Sequence, residues 1–388
     1  MPIKNSFAQM QPEIAAWRQD FHRHPELMYD LPRTSARVAG LLHSFGVDEV
    51  VTGVGRSGVV GVIRGGRDTA GRVIGLRADM DALPIVEETG ADHASQTLGQ
   101  MHACGHDGHT SMLLAAARYL AQTRAFDGTV VLIFQPAEEG GAGGRAMVED
   151  GLIDRWAIDE VYALHNLPGL PVGQFSICAG PIMASTDEFD ITITGRGGHA
   201  AKPHEGIDPI LVAAHVMTAL QSVAARNIDP MKSGVISVTS LHSAGDSYNV
   251  IPQSVSLRGT ARALESGVRG QLEEGIHRIA QSVATAFGAR AEVAFHRGYP
   301  VTVNDPQATQ WAIEAARAVS PEVHDAAPLM AGEDFSYLLN ERPGAYIFLG
   351  NGNSAMLHHP AYDFDDAALP YGASWLATIA EMRMPLRC

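Results

Sequence analysis

Four short apolar runs, Val59 to Ile63, Val73 to Leu76, Thr129 to Phe134 and Val161 to Leu164, are each bounded by turn residues. Runs of this length read as strands buried on both faces. Between the second and third, Met112, Leu113, Ala116, Tyr119 and Leu120 share one helical face. Earlier in the chain, helical spacing occurs at Ile14, Trp17 and Phe21, and again at Val38, Leu41, Leu42 and Phe45, with Gly46 placed to end the second helix. Strands that alternate with helices predict an α/β domain with a mostly parallel central sheet.

The alternation is interrupted in mid-chain. From Phe189 to His296 the order becomes strand (Phe189 to Thr194), helix (Ile207 to Ala225), strand (Gly234 to Leu241), strand (Val255 to Ala261), helix (Val268 to Ala286) and strand (Ala291 to Phe295). That βαββαβ order predicts a small ferredoxin-like domain. A helix from Pro306 to Val319, a strand from Ala345 to Leu349 and a helix after Pro370 then resume the first pattern. A chain of 388 residues exceeds one comfortable core. The expected organisation is a catalytic domain over 1–185, an inserted ferredoxin-like domain over 186–299, and the rest of the catalytic domain over 300–388.

Composition restricts the partners. With 46% hydrophobic and 18% charged residues the chain is globular. Its 43 acidic against 28 basic residues give a net charge of -15, which repels phosphate backbones and anionic lipid, so neither nucleic acid nor membrane is expected as a partner. No run is apolar and long enough for a signal peptide or a membrane span, and a cytoplasmic location is expected. Cys104, Cys178 and Cys388 are odd in number and widely spaced, which argues against disulfides and leaves a cysteine as a candidate ligand.

Polar residues collect where the strands of the larger domain end, which is where open α/β sheets bind ligands. Arg77-Ala78-Asp79-Met80-Asp81 follows the second strand, Gln135-Pro136-Ala137-Glu138-Glu139 the third, His165-Asn166 the fourth, and His358-His359-Pro360 the late one. Met101-His102-Ala103-Cys104-Gly105-His106-Asp107-Gly108-His109 precedes the Met112 helix. Taken singly, Cys104 is an ordinary buried thiol, paired glutamates are a solvated face, and His165 is a polar strand end. Taken together at four strand ends they are a site. Glu138 and Glu139 also lead into Gly140-Gly141-Ala142-Gly143-Gly144, which predicts a flexible loop rather than a charged helix face. Thiolate, imidazole and carboxylate suit a divalent transition metal. Of two adjacent carboxylates, one can bind metal while the other moves protons.

These segments, with Ala82-Leu83-Pro84, Gly197-Gly198-His199-Ala200-Ala201 and Leu357, occur in the order found in the aminoacylase-type metallohydrolases, which the chain resembles over almost its whole length. The branch it is most similar to holds hippurate hydrolases, bacterial N-acyl-amino-acid deacylases and plant auxin-conjugate hydrolases. The resemblance implies a binuclear centre of Mn, Zn, Co or Ni held by Cys104, His106, Glu139, His165 and His358, with Glu138 as general base. The family's ligand lies two residues before proline, which selects His358 over His359. Asp79 stands where the wider family has a metal-binding histidine. His199, Asn249, Arg262 and Gly332 match positions that meet substrate, His199 from a partner subunit and Gly332 in the loop Gly332-Glu333-Asp334-Phe335, where the two acids could equally cap a helix. The implied activity is hydrolysis of small N-acyl amino acids to a carboxylic acid and an amino acid by a homodimer. A dipeptidase or carboxypeptidase of the same family would share every ligand. A thiol enzyme built on Cys104 and a non-catalytic metal binder are the remaining readings.

Overall fold

The computed structural model describes residues 4–386, so Cys388 lies outside the described residues. The chain forms two compact units. The first takes residues up to Ile182, Val303–Ala327 and the chain from Asp334 onward, and the second takes Met183–Thr302 with Pro328–Glu333. The short segment that includes Gly332 thus groups with the second unit, whereas the sequence reading put it in the returning part of the first.

In the first unit an eight-stranded sheet runs in the order Glu49–Val54, Gly58–Arg64, Thr129–Gln135, Val73–Asp79, Glu160–Leu167, Gly344–Gly350, Phe175–Ile177, Val323–Asp325. The four strands from Thr129–Gln135 to Gly344–Gly350 are mutually parallel. Antiparallel pairing enters on both flanks, so the sheet is mixed with a parallel centre. The cause on one flank is a tight connection: Glu49–Val54 and Gly58–Arg64 form a hairpin around Gly55 (φ +58°), and strands joined so closely can only be antiparallel. Helix His106–Thr123 is buried along most of its length and packs with Asn5–Arg23, Pro32–Phe45 and Leu369–Arg383.

The second unit is a four-stranded antiparallel sheet ordered Gly234–Ser243, Ser254–Ala263, Ser185–Thr194, Arg290–Arg297. Alternate residues of Ser185–Thr194 are buried, and Phe189, Ile191 and Ile193 join a core with the helices Pro209–Ser222 and Ser266–Ala286. Strand order and helix placement are those of a ferredoxin-like fold. The first helix starts where Asp208 accepts a hydrogen bond from the Ile210 N–H, two residues later than its apolar spacing suggests. Among the described residues no helix is long and apolar enough to cross a membrane, and Cys104 and Cys178 are free thiols.

Glu160, at the start of a central strand, ties that strand to its surroundings. Its Oε1 accepts from Arg72 Nη1 at 3.1 Å and Arg383 Nη2 at 2.7 Å, and its Oε2 from Arg383 Nε at 2.9 Å and the Tyr162 hydroxyl at 2.8 Å. Burial raises the carboxyl pKa, but Arg383, Tyr162 and Arg72 outweigh it and hold the group below its ordinary 4.5. A folded pKa below the unfolded one stabilises the fold fully above pH 4.5, and the contribution disappears as pH falls through the folded value. Glu160→Gln should therefore cost about 1.5 to 3 kcal/mol at neutral pH, the usual worth of hydrogen bonds to charged groups. In urea denaturation the gap between wild type and variant should narrow steadily in acid, and a gap independent of pH would contradict the assignment.

Candidate metal centre

The parallel strands bring their C-terminal ends together in the first unit, as the sheet's geometry dictates. Val73–Asp79 ends in Asp79 and leads to Asp81, Thr129–Gln135 leads to Glu138 and Glu139, and Glu160–Leu167 carries His165 and Asn166 within its own pairing rather than beyond it. Cys104 and His106 stand at the entry of helix His106–Thr123. His358 is held from the far side by its backbone N–H, which donates to the Ala103 carbonyl at 2.8 Å.

Cys104, His106 and His165 each offer a donor atom within 4.8 Å of one another, and so do Cys104, Glu139 and His358. The thiol belongs to both groups. Its Sγ is 3.4 Å from His165 Nε2, while His358 Nε2 lies 3.2 Å from Glu139 Oε1 and His106 Nε2 lies 3.9 Å from the same oxygen. Glu138 joins His106 and Glu139 in a further group. Of the two adjacent histidines only His358 reaches the cluster, because His359 turns its Nδ1 to the Ala361 N–H at 3.0 Å.

Local hydrogen bonds fix these orientations. His106 Nδ1 lies 2.8 Å from the Asp81 carbonyl, and His165 Nδ1 lies 2.7 Å from the Asn166 carbonyl. Both contacts require Nδ1 to donate, so in the neutral ring each Nε2 offers its lone pair to the cluster. The Asp81 carboxylate accepts from the Glu138 N–H at 2.9 Å and the Glu139 N–H at 3.2 Å. The glycines after Glu139 are not there for flexibility. A Cβ at Gly143 would overlap the Pro136 carbonyl, one at Gly141 would crowd Ala137, and Gly144 abuts the Asp334 carbonyl. Helix Gly143–Glu149 already begins inside that run. His358 adopts φ +65°, a left-handed conformation that costs about 1 to 3 kcal/mol in a non-glycine residue and persists only where its surroundings hold it.

The electrostatics favour a cation. Burial pushes the Cys104 thiol up, and Glu139, Glu138 and Asp79 push it further. Burial works against a charged His106, yet Asp79, Asp81 and Glu139 raise it to about 10. His106 Nε2 is buried without a hydrogen-bond partner, and the buried Glu139 Oε1 faces the imidazoles of His358 at 3.2 Å and His106 at 3.9 Å. Orphaned soft and borderline donors among excess carboxylates fit a transition metal ion, whose charge would take over from these protons.

Several residues here were not assigned a role from sequence. Asp79, His106 and His109 also come within 4.8 Å of one another, but the Asp79 carboxylate is engaged by His109 Nδ1 at 2.6 Å and Arg77 Nη1 at 2.7 Å. Arg77 continues to Asp334 Oδ1 at 2.9 Å and to Gln135 Oε1 at 2.9 Å. Asp334 therefore braces the strand ends, and its Oδ2 accepts from the Gly144 N–H at 2.8 Å in the first turn of helix Gly143–Glu149, while the helix that follows it, Ser336–Glu341, has no side-chain cap. The signal was in the sequence: charged residues directly follow a buried apolar strand, where they must find partners.

The second unit separates its four candidates into two pairs. His199 lies on a two-residue ribbon, Gly198–His199 against Val250–Ile251, and Ala200 N–H donates to the Asn249 carbonyl at 3.0 Å, so His199 and Asn249 are neighbours. His199 is exposed, and its Nδ1 accepts from the Ala201 N–H at 3.0 Å. Arg262 pairs across the sheet with Thr186, whose methyl group a Cβ at Gly332 would overlap. Thr186 and Thr194 mark opposite ends of one strand, roughly 26 Å apart at about 3.3 Å per residue. The His199–Asn249 pair lies beyond Thr194, so the two pairs do not meet within this unit.

The pattern of the family described as Peptidase family M20/M25/M40 matches residues 75–382. The chain is 39% identical over 361 residues to an N-acetyl-L-cysteine deacetylase of Bacillus subtilis, covering 93% of this chain and 85% of that one. It is 40% identical over 374 residues to a hippurate hydrolase of Campylobacter jejuni, covering 96% of each, and 39% identical to thermostable carboxypeptidase 1 of Saccharolobus solfataricus, covering 97% of each. Among solved structures, the YXEP protein of Bacillus subtilis, described as a dinuclear metal-binding peptidase of the M20 family, superposes with a TM-score of 0.86 at 34% identity, over 97% of this chain and 99% of that one. The chain therefore belongs to peptidase family M20/M25/M40 and is a hydrolase of linear amides.

Proposed function

We propose that the protein hydrolyses small N-acyl amino acids, of the N-acetyl or hippurate type, to a carboxylic acid and a free amino acid, acting as a cytoplasmic homodimer with two divalent ions. The observation that carries this reading is the pair of donor groups sharing Cys104, one with His106 and His165 and the other with Glu139 and His358. Mn, Zn, Co or Ni suits such a mixed set. When bound, the ions would polarise the amide carbonyl and lower the pKa of a water molecule towards neutrality. Glu138, whose backbone is fixed by Asp81, accepts the proton of that water and returns it to the leaving amine. His199, with Nε2 left to donate, is suited to stabilise the oxyanion. The carboxypeptidase relative keeps a second reading in view, hydrolysis of peptide rather than acyl amides. A substrate panel of acetyl, benzoyl and indoleacetyl amino acids against dipeptides, with each metal restored in turn, decides between them.

Chelation should abolish turnover and Cys104→Ala should lower metal content, because the thiolate serves both donor groups. Glu138→Gln should retain metal and fold while turnover falls by about two to four orders of magnitude. Metal loss from Glu138→Gln equal to that from Cys104→Ala would make Glu138 a ligand instead.

The spacing of the two pairs in the second unit favours His199 acting on the site of a second copy. The sheet edges at Gly234–Ser243 and Arg290–Arg297 are open to two-fold pairing. Glu138→Gln and His199→Ala proteins, each nearly inactive, should regain activity when mixed and reassembled, since one of the two sites in a heterodimer is then intact. Heterodimers no more active than their parents would assign His199 to its own chain or to no site.

A further inference from the structure

Arg18, on helix Asn5–Arg23, belongs to none of the motifs above, yet its side chain is 0% exposed. Nε donates to Asp366 Oδ1 at 2.7 Å and Nη2 to Asp366 Oδ2 at 3.2 Å, where Gln19 also donates at 2.8 Å. Nη1 faces Asp107 Oδ2 at 3.5 Å and Asp363 Oδ1 at 3.7 Å. Asp107 directly follows His106 and also takes His22 Nδ1 at 2.8 Å. Asp363 and Asp366 belong to the segment that continues from His358. One guanidinium thus joins the stretches of chain that carry two histidines of the cluster.

Such a link meets a specific need. His358 sits in the left-handed region with an exposed side chain, and beside the hydrogen bond from its N–H to the Ala103 carbonyl no helix or strand between Gly350 and Asp366 supports it. His106, by contrast, opens a helix embedded in the core, and His165 lies in a central strand. Loss of Arg18 would therefore loosen the His358 side of the centre more than the His106 and His165 side. Asp107 would keep His22, and Asp366, whose side chain is 25% exposed, would rehydrate.

We infer that Arg18 is a positioning residue for the metal centre: it holds the His358 segment against the start of the ligand helix, and so sets the affinity of the ion at Cys104, Glu139 and His358 more than that of the ion at Cys104, His106 and His165. This rests on the metal reading above. The experiment is calorimetric titration of metal-stripped wild type, Arg18→Met, Asp366→Asn and the double variant with Zn²⁺, alongside thermal melts of the metal-free proteins. The expected result is two ions on the wild type and, in each variant, one ion bound as in the wild type and the other about tenfold weaker, the low end of the loss when a ligand's own hydrogen-bond partner is removed, since Arg18 acts one step further out. The double variant should be no weaker than Arg18→Met, since both lesions cut one link. Where Arg18→Met fails to melt cooperatively, Asp366→Asn carries the test. Wild-type affinity for both ions in Asp366→Asn, or equal weakening of both, would overturn the role given to Arg18. A wild type that takes up no Zn²⁺ would overturn the metal reading itself.

Discussion

The Asp81 carboxylate organises more of the site than any other group. It is 1% exposed, and it offsets that burial by accepting the backbone N–H groups of both Glu138 and Glu139. Its own carbonyl fixes the ring of His106. Two acids and an imidazole from separate elements are thereby set against one residue at a strand end. Displacement of Asp81 would turn the loop that begins at Ala137, whose φ of +51° already leaves it little freedom.

Around this point the protein holds several carboxylates away from water, and the cost of doing so divides them into two sets. Asp79 and Asp334 are neutralised internally by Arg77, with His109 completing the partners of Asp79. The Glu139 carboxylate, by contrast, faces only imidazoles and the Cys104 thiol, with His358 Nε2 3.2 Å from its Oε1, and the His106 Nε2 that faces it is buried without a hydrogen-bond partner. The first set is braced and no longer free to bind an ion, whereas the second is the part of the site that still calls for positive charge. Asp79, engaged by Arg77 and His109, thus belongs to the first set, and Cys104, within reach of both donor groups, to the second.

The second unit follows a different logic. Its sheet is two-layered, with helices over one face, and its candidate residues sit at the two ends of the strand Ser185–Thr194 rather than on its buried face. A scaffold of this kind can present chemistry in two directions at once. Its use for one active site per chain would then depend on how copies assemble.

Much of this was present in the sequence. Short apolar runs flanked by turn residues marked the adjacent strands Gly58–Arg64, Thr129–Gln135, Val73–Asp79 and Glu160–Leu167, because a strand covered on both faces must be apolar at nearly every position. Glu138 and Glu139 were legible because paired acids just after such a strand have few structural uses, and Cys104 and His106 because a thiol and three histidines crowd the entry of one helix. The outer strands Glu49–Val54 and Val323–Asp325, and Phe175–Ile177 next to the latter, were not legible, since a half-exposed or three-residue strand has no hydrophobic period to read. The antiparallel flanks followed from them. Nor could spacing reveal that Gly143 is required by the Pro136 carbonyl, that Asp81 fixes both glutamates, or that Arg18 reaches Asp107 and Asp366. Sequence determined which residue types lie at which strand ends, because burial and periodicity are local. The tertiary structure alone decided which donors are already paired and which remain open, because pairing joins residues hundreds of positions apart and depends on distances of a few ångströms.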